Sequence, residues 1–162
     1  MVLHRSILPL MALLLVPTMG LAYELYASPF YEALLKAPTG SARKVGTLTP
    51  SDFEAVCILH PYQDQLNKNI DLAARVNAHL AKVKYSSDEG HFAFVFVRKS
   101  IEIEKIKRSQ ELDFFGNRKL PAAISSSLPQ NFTFKECVSE RSAAIIKIKL
   151  DDRTYFLFGQ ML

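Results

Sequence analysis

The stretch HFAFVFV, residues 91–97, decides the fold class because every side chain after its first residue is apolar. Aromatic and β-branched residues of this kind are typical of a strand, and a strand with two apolar faces must be covered on both sides. The next ten residues, RKSIEIEKIK, largely alternate apolar and charged side chains, which predicts the partner strand of a hairpin. We therefore expect residues 91–97 to form a central strand.

The partner strand carries an irregularity in its apolar pattern. Ile101 and Ile103 fall on one face, but the next apolar residue, Ile106, is one position out of step. Since side chains alternate between the two faces of a strand, Ile106 would point away from the other two isoleucines. The pattern predicts a β-bulge near Glu104 and Lys105 that returns Ile106 to the core face.

Two helices are predicted before the hairpin. Leu72, Val76, Leu80 and Val83 are separated by four, four and three residues, which is the repeat of one helical face. This spacing predicts a long amphipathic helix over about residues 67–84. A short N-terminal helix is expected at SPFYEALLK, which begins with a suitable N-cap serine followed by a proline at the first helical position.

Further strands are predicted on either side of these elements. Phe53–Leu59 is an apolar run bounded by turn residues, and residues 131–162 contain several more runs, the last two joined at Asp151 and Asp152. Residues 119–131, KLPAAISSSLPQN, are typical of a loop because of their prolines and serines. The predicted fold class is α+β, a mainly antiparallel sheet of about six strands with the long helix packed on it and the short N-terminal helix.

The N-terminus predicts export. Arg5 is followed by an apolar run and then by small residues before Tyr23, which is the order of a secretory signal peptide. The run is interrupted by proline and is shorter than the roughly 20 apolar residues that a membrane-spanning helix needs. We expect residues 1–22 to be a signal peptide cleaved near Ala22, and residues 23–162 to form a single α+β domain that is periplasmic or secreted.

The two cysteines, Cys57 and Cys137, predict a disulfide, because an even number of cysteines in an exported chain tends to pair. A loop of this length would stabilise the fold by about 4 kcal/mol in the chain-entropy account. The alternative is that Cys57 is a nucleophile with His60 as its base. Residues three apart on a strand point to opposite faces, and no catalytic motif accompanies the pair, so we favour the disulfide.

No motif predicts catalysis, a metal or a cofactor. His60, His79 and His91 are not spaced as helical metal ligands, and HExxH, CxxC, GxSxG and glycine-rich phosphate-binding motifs do not occur. Glu102 and Glu104 share one strand face and could resemble the paired acids of a glycosidase. The simpler interpretation is the solvated face of an antiparallel sheet.

The formal net charge is +4, which weakly favours anionic partners. Lys105 and Lys107 on one strand, with Lys147 and Lys149 on another, would form a basic stripe for a membrane surface or a polyanion if the two strands shared a sheet. Lysines on edge strands also serve to prevent edge-to-edge pairing, which is the interpretation we prefer. A nucleic-acid partner is not expected for an exported chain.

The leading hypothesis for function is an exported, non-enzymatic binding protein, an inhibitor or immunity-type protein that recognises another protein. The candidate binding residues lie in the turn HPYQD and are His60, Tyr62, Gln63 and Asp64. The loop around residues 128–130 is a second candidate. The alternatives are a small cell-envelope hydrolase acting on cell-wall or glycan substrate, with Asp64 or Glu102 beside a histidine, and a structural envelope protein that uses the basic stripe.

Overall fold

A computed structural model describes residues 28–49, 52–116 and 119–162. The predicted signal peptide, residues 1–22, lies outside the described residues. The helices are Pro29–Lys36 (α1), Ala73–Lys82 (α2) and Ala122–Ser127 (α3), with a 3-10 turn at Val45–Thr47. The strands are Ala42–Lys44 (β1), Ala55–Leu59 (β2), His91–Val97 (β3), Ile101–Lys107 (β4), Asp113–Phe114 (β5), Phe132–Phe134 (β6), Cys137–Ser139 (β7), Ala143–Leu150 (β8) and Arg153–Met161 (β9).

The described strands form two sheets. The first, which we call the disulfide sheet, has the order β4-β3-β2-β7 and is antiparallel throughout. The second, the C-terminal sheet, has the order β1-β8-β9-β5, with β6 also paired to β9. Its pairs are antiparallel except for the short parallel contact between β5 and β9.

Phenylalanines fill the space between the two sheets. Phe92, Phe94 and Phe96 project from one face of β3, and the ring of Phe94 lies 5.5 Å from that of Phe156 on β9. Phe30 of α1 enters the same core, with its ring edge-on at 4.9 Å from that of Phe94. Aromatic pairs in such geometries add to the stability gained from burial. The inner faces of both sheets therefore share one core.

The outer face of the disulfide sheet is covered by α2, and that of the C-terminal sheet partly by the short α3 and the residues that flank it. Ala93, Val95 and Val97 project from the opposite face of β3 and pack with Val76 and Leu80 of α2. The outer face of the C-terminal sheet forms a third cluster, to which Ile124 of α3 contributes. The order of layers is helix, sheet, sheet, helix. The prediction that residues 91–97 form a strand covered on both faces is confirmed.

The α+β class is confirmed, but the prediction of about six strands in one sheet is wrong. Nine strands are described, and those of the C-terminal part pair mainly with one another through the β8–β9 hairpin. The chain passes from β6 in the C-terminal sheet to β7 in the disulfide sheet across residues 135–136. Strand propensity gives no information on such non-local pairing, since it reflects local chain preferences.

The predicted bulge in β4 is wrong. Pairing between β3 and β4 is continuous from His91 opposite Lys107 to Val97 opposite Ile101. Ile106 lies opposite Phe92 and belongs to the core between the sheets, whereas Ile101 and Ile103 pack on the α2 side. A regular strand suffices because both of its faces meet apolar layers.

The long helix is shorter than the predicted span of 67–84. The side chain of Asn77 accepts a hydrogen bond from the Leu66 N–H at 2.7 Å and donates one to the Leu66 carbonyl at 3.0 Å. The Asn67 side chain accepts from the Asn69 N–H at 3.1 Å. These bonds hold residues 66–69 outside the helix, in a turn that precedes Leu72. At the other end Lys84 has a φ of +53°, which terminates the helix.

The two shorter helices, α1 and α3, differ in how well the sequence predicted them. The short N-terminal helix is confirmed as α1, with the Ser28 hydroxyl accepting from the Tyr31 N–H at 3.0 Å. The predicted loop at 119–131 contains α3, a helix of six residues. No helix among the described residues is long and apolar enough to cross a membrane.

Candidate functional site

A disulfide joins Cys57 of β2 to Cys137 of β7, as predicted. The two cysteines lie directly opposite each other in the sheet, with their Cα atoms 4.0 Å apart. Cys57 is completely buried. The alternative in which Cys57 is a nucleophile with His60 as its base is therefore wrong, because a bonded sulfur is no thiolate.

The disulfide fixes the position of Glu136. Antiparallel pairing continues for one residue beyond it, so that the Ile58 N–H donates to the Glu136 carbonyl at 2.8 Å. Residues 135–136 form the crossing between the two sheets. Glu136 therefore lies at one end of the sandwich, near the point where β2 ends and His60 begins the turn.

His60 is partly buried at this end. Its ring lies edge-on to that of Phe114, with the centroids 4.9 Å apart. Burial lowers the pKa of His60, and the charge of Glu136 partly opposes the shift. The imidazole is accordingly neutral at pH 7, with one nitrogen able to donate a hydrogen bond and the other able to accept one.

Two adjoining cavities share His60 and Glu136. The larger is an open cleft of about 550 Å³, and we call it the His60–Glu136 cleft. Its polar lining consists of His60, Gln63, Gln65, Asn67, Lys68 and Glu136. The smaller cavity has about 120 Å³ and is lined by residues that include Phe114, Gly116, Phe134 and Lys135. Glu136 Oε2 is buried without a hydrogen-bond partner.

The turn at residues 60–64 holds Tyr62 out into solvent. Tyr62 is 70% exposed and has a φ of +64°. Its hydroxyl donates to Glu89 Oε2 at 2.7 Å, and this bond is the main reason that the pKa of Tyr62 is raised. A left-handed backbone is uncommon for a bulky residue that is not glycine.

The neighbours of Tyr62 in the turn have structural bonds. Gln63 Oε1 accepts from the His60 N–H at 2.9 Å, and Asp64 Oδ1 accepts from the Ser87 N–H at 2.6 Å. Of the four predicted binding residues, His60 and Gln63 line the cleft, Tyr62 stands beside it, and Asp64 holds the loop after α2. The turn is thus tied at several points.

A charge cluster supports the loop that contacts Tyr62. Arg108 Nη1 donates to the Glu89 carbonyl at 2.7 Å, and Arg108 Nε donates to Asp113 Oδ1 at 2.6 Å. Arg153 Nη1 also donates to Asp113, at 2.9 Å. Burial by itself raises the pKa of Asp113, but the bonds from Arg108, the Phe114 N–H and Arg153 outweigh it and leave the pKa lowered. The buried Asp113 and its partly exposed arginine partners thus connect to the exposed tyrosine through Glu89.

The acids considered for the hydrolase alternative have other partners. Glu102 lies 3.5 Å from Arg98 in an ion pair, and Glu104 accepts a hydrogen bond from the Ser28 hydroxyl. Neither lines the cleft. Across residues 28–49, 52–116 and 119–162, no group of three or more His, Cys, Asp or Glu side chains is arranged to hold a metal ion.

The lysines of the proposed basic stripe lie on different sheets. Lys105 and Lys107 belong to β4 of the disulfide sheet, whereas Lys147 and Lys149 belong to β8 of the C-terminal sheet. Lys147 Nζ donates to the Leu35 carbonyl at 2.5 Å, at the C-terminal end of α1. Burial lowers the pKa of Lys147. The condition that the four lysines share one sheet is not met.

Sequence reasoning missed Glu136 and Phe134, although one signal could have located Glu136. Cys57 paired with Cys137 in an antiparallel register places Ile58 opposite Glu136, two residues before His60. The register follows once the two cysteines are taken as directly opposed strand residues.

The chain matches no protein-family model, no curated protein and no solved structure.

Proposed function

We propose that this protein is a small non-enzymatic binding protein, exported to the periplasm or secreted, that recognises another protein as an inhibitor or immunity-type protein. The observation that carries the proposal is Tyr62, an exposed aromatic side chain held on a left-handed backbone at φ +64°. Backbone strain of this kind costs about 1–3 kcal/mol and clusters at functional sites. The burial of Tyr62 offsets little of this cost, because 70% of the residue is exposed.

The surroundings of Tyr62 suit recognition of a protein surface. Its hydroxyl is bonded to Glu89, and the turn is fixed by Gln63 and Asp64, so little side-chain or backbone freedom would be lost on binding. A second aromatic, Phe134, is 47% exposed and borders the smaller cavity. Rigid tyrosines surrounded by less important contacts are common binding hot spots.

Export is supported by two independent features. The order of residues 1–22 is that of a signal peptide, and the Cys57–Cys137 disulfide is of the kind that forms and persists in oxidising compartments.

The hydrolase alternative receives less support. This alternative needs Asp64 or Glu102 beside a histidine, but Asp64 Oδ1 accepts from the Ser87 N–H, Glu102 is paired with Arg98, and neither lines the cleft that holds His60. Incubation with labelled cell-wall or glycan polymers tests it directly. Release of soluble label that disappears in His60→Ala would favour turnover over binding.

The experiment that tests the proposal is capture of the partner by the purified mature protein from the periplasmic or secreted fraction of its host. Wild type, Tyr62→Gly and Lys84→Gly are compared side by side. Lys84 is the matched control, because it is exposed and also has a positive φ, of +53°. We expect one stoichiometric partner with wild type and Lys84→Gly, and at least about tenfold weaker binding with Tyr62→Gly.

Two results would contradict the proposal. One is equal capture of the partner by Tyr62→Gly, which would remove Tyr62 from the interface. The other is failure of the wild-type protein to retain any stoichiometric partner under native conditions.

A further inference from the structure

The lining of the His60–Glu136 cleft is dominated by planar polar groups. Three amides, those of Gln63, Gln65 and Asn67, line it together with the imidazole of His60 and the carboxylate of Glu136. An amide supplies both donors and acceptors, a neutral imidazole supplies one of each, and a carboxylate supplies acceptors. Such a set matches ligands in which each group both donates and accepts hydrogen bonds, as a hydroxyl does.

Glu136 offers an acceptor that the protein itself does not use. Its Oε2 is buried and has no hydrogen-bond partner, although the backbone carbonyl of the same residue is bonded to the Ile58 N–H. Buried polar atoms in proteins are nearly always paired, so an unpaired one calls for a partner. Glu136 also lines both cavities, so its carboxylate is open to a donor on a ligand bound there.

The charges around the cleft indicate that this donor is neutral. Lys68 lines the cleft and Lys135 lines the adjoining cavity, so two positive charges stand near the single negative charge of Glu136. A cationic ligand would be repelled by the lysines, and an anionic ligand would meet the unpaired carboxylate. A neutral ligand with several hydroxyl groups faces neither difficulty.

An apolar wall adjoins these polar groups. Phe134 borders the smaller cavity and is 47% exposed, and Phe114 lies deeper in the same cavity against the His60 ring. The C–H face of a sugar ring is apolar and can pack on an aromatic side chain. The volume of the cleft, about 550 Å³, falls within the range of small-ligand sites, roughly 300–1,000 Å³.

We propose that the His60–Glu136 cleft binds a neutral saccharide. The Glu136 carboxylate accepts a hydrogen bond from a sugar hydroxyl, His60 and the amide of Gln63 contact neighbouring hydroxyls, and Phe134 packs against the C–H face of a ring. Gln63 Oε1 already accepts from the His60 N–H, so its NH₂ group is the part that donates to the ligand. This inference goes beyond the proposed protein recognition, which depends on Tyr62.

The test is a titration of the mature, disulfide-bonded protein with neutral trisaccharides of glucose, galactose, mannose and N-acetylglucosamine, followed by amide chemical shifts in NMR. We expect at least one of them to give saturable shifts concentrated at residues 60–68 and 134–136. Glu136→Gln should weaken that binding about tenfold or more, because a charged acceptor is replaced by an amide. Glu140→Gln is the matched control, being a partly buried glutamate just beyond the other end of β7, and should leave the affinity unchanged.

Phe134→Ala provides a second variant that is expected to fold normally, since the side chain is exposed, and it should also weaken saccharide binding. The inference is overturned if none of the four trisaccharides gives saturable shifts at these residues, or if both variants bind as wild type does. Tighter binding of butylammonium or acetate than of every saccharide would also overturn it, in favour of a charged ligand.

The same variants separate this inference from the proposed function. Tyr62→Gly should lose the protein partner and keep the saccharide, whereas Glu136→Gln should do the reverse. Failure of one proposal therefore leaves the other open to its own test.

Discussion

The core between the two sheets and the end of the sandwich around residues 60–64 use aromatic side chains in opposite ways. Phe94 is completely buried and contacts other aromatic rings on both sheets and on α1. Tyr62 is 70% exposed, has a left-handed backbone and is held by a hydrogen bond to Glu89. The unpaired Oε2 of Glu136 lies at the same end. Departures from good local structure that coincide in one region are expected where function competes with stability.

The largest expected effect is a loss of stability when Phe94, in the core between the two sheets, is replaced. Phe94→Ala should lower the free energy of unfolding by about 3–5 kcal/mol, since it removes a buried ring and leaves a cavity among well-packed neighbours. Phe134→Ala is the control and should change it by only about 1 kcal/mol, because about half of the side chain is exposed. Urea unfolding measures both. Equal losses for the two variants would show that Phe134 belongs to the packed structure.

The disulfide connects the two regions, because it joins the covered sheet to the crossing that carries Glu136. Replacing both Cys57 and Cys137 by alanine should destabilise the protein by about 4 kcal/mol if the closed loop acts through chain entropy. It should also weaken saccharide binding, since β7 is no longer joined covalently to β2 beside the cleft. Unfolding curves and the NMR titration are the measurements. A doubly substituted protein as stable as wild type would refute the role assigned to the disulfide.

Asp113, whose partner Arg108 also bonds the Glu89 carbonyl below Tyr62, should make the stability of the protein depend on pH. Its pKa is lowered in the folded protein, whereas an unfolded aspartate titrates near about 3.9. The stabilisation is therefore fully present above about pH 4 and is lost as the pH falls through the lower folded value. Asp113→Asn should cost about 3 kcal/mol at pH 7 and flatten the loss of stability below about pH 4.

The control for this prediction is Asp152→Asn, which alters an exposed aspartate in the turn between β8 and β9 and should change neither quantity. Thermal unfolding between pH 2 and 7 distinguishes the variants. An unchanged acid profile in Asp113→Asn would mean that the Arg108 and Arg153 bonds contribute little to folding.

The parts of the fold that sequence predicts well are those set by neighbouring residues. The two apolar faces of β3, the serine cap of α1 and the single possible pairing of the two cysteines all follow from local pattern or from counting. The long helix was placed too early along the chain because apolar spacing does not register the side-chain bonds of Asn67 and Asn77. The bulge predicted near Ile106 assumes that β4 has one apolar face. In the protein both faces of β4 contact apolar layers, so no bulge is needed.

The candidate site was predicted only in part, for a related reason. The turn at residues 60–64 is visible in the sequence because proline and polar residues follow an apolar strand. Glu136 and Phe134 lie about 75 residues further along the chain. The pairing of β7 with β2 places Glu136 near His60, and the pairing of β6 with β9 places Phe134 at the same end. Sites assembled across two sheets require the register as well as the residues.

The smallest expected effect is also the most direct test of the central claim, which is that Tyr62 serves recognition at the expense of stability. The measurement is the free energy of unfolding of Tyr62→Gly relative to wild type. Relief of the left-handed strain offsets the lost hydrogen bond to Glu89, so stability should be unchanged or higher by up to about 1 kcal/mol. A loss of more than about 1 kcal/mol would contradict the account, because it would show that Tyr62 is kept for the fold.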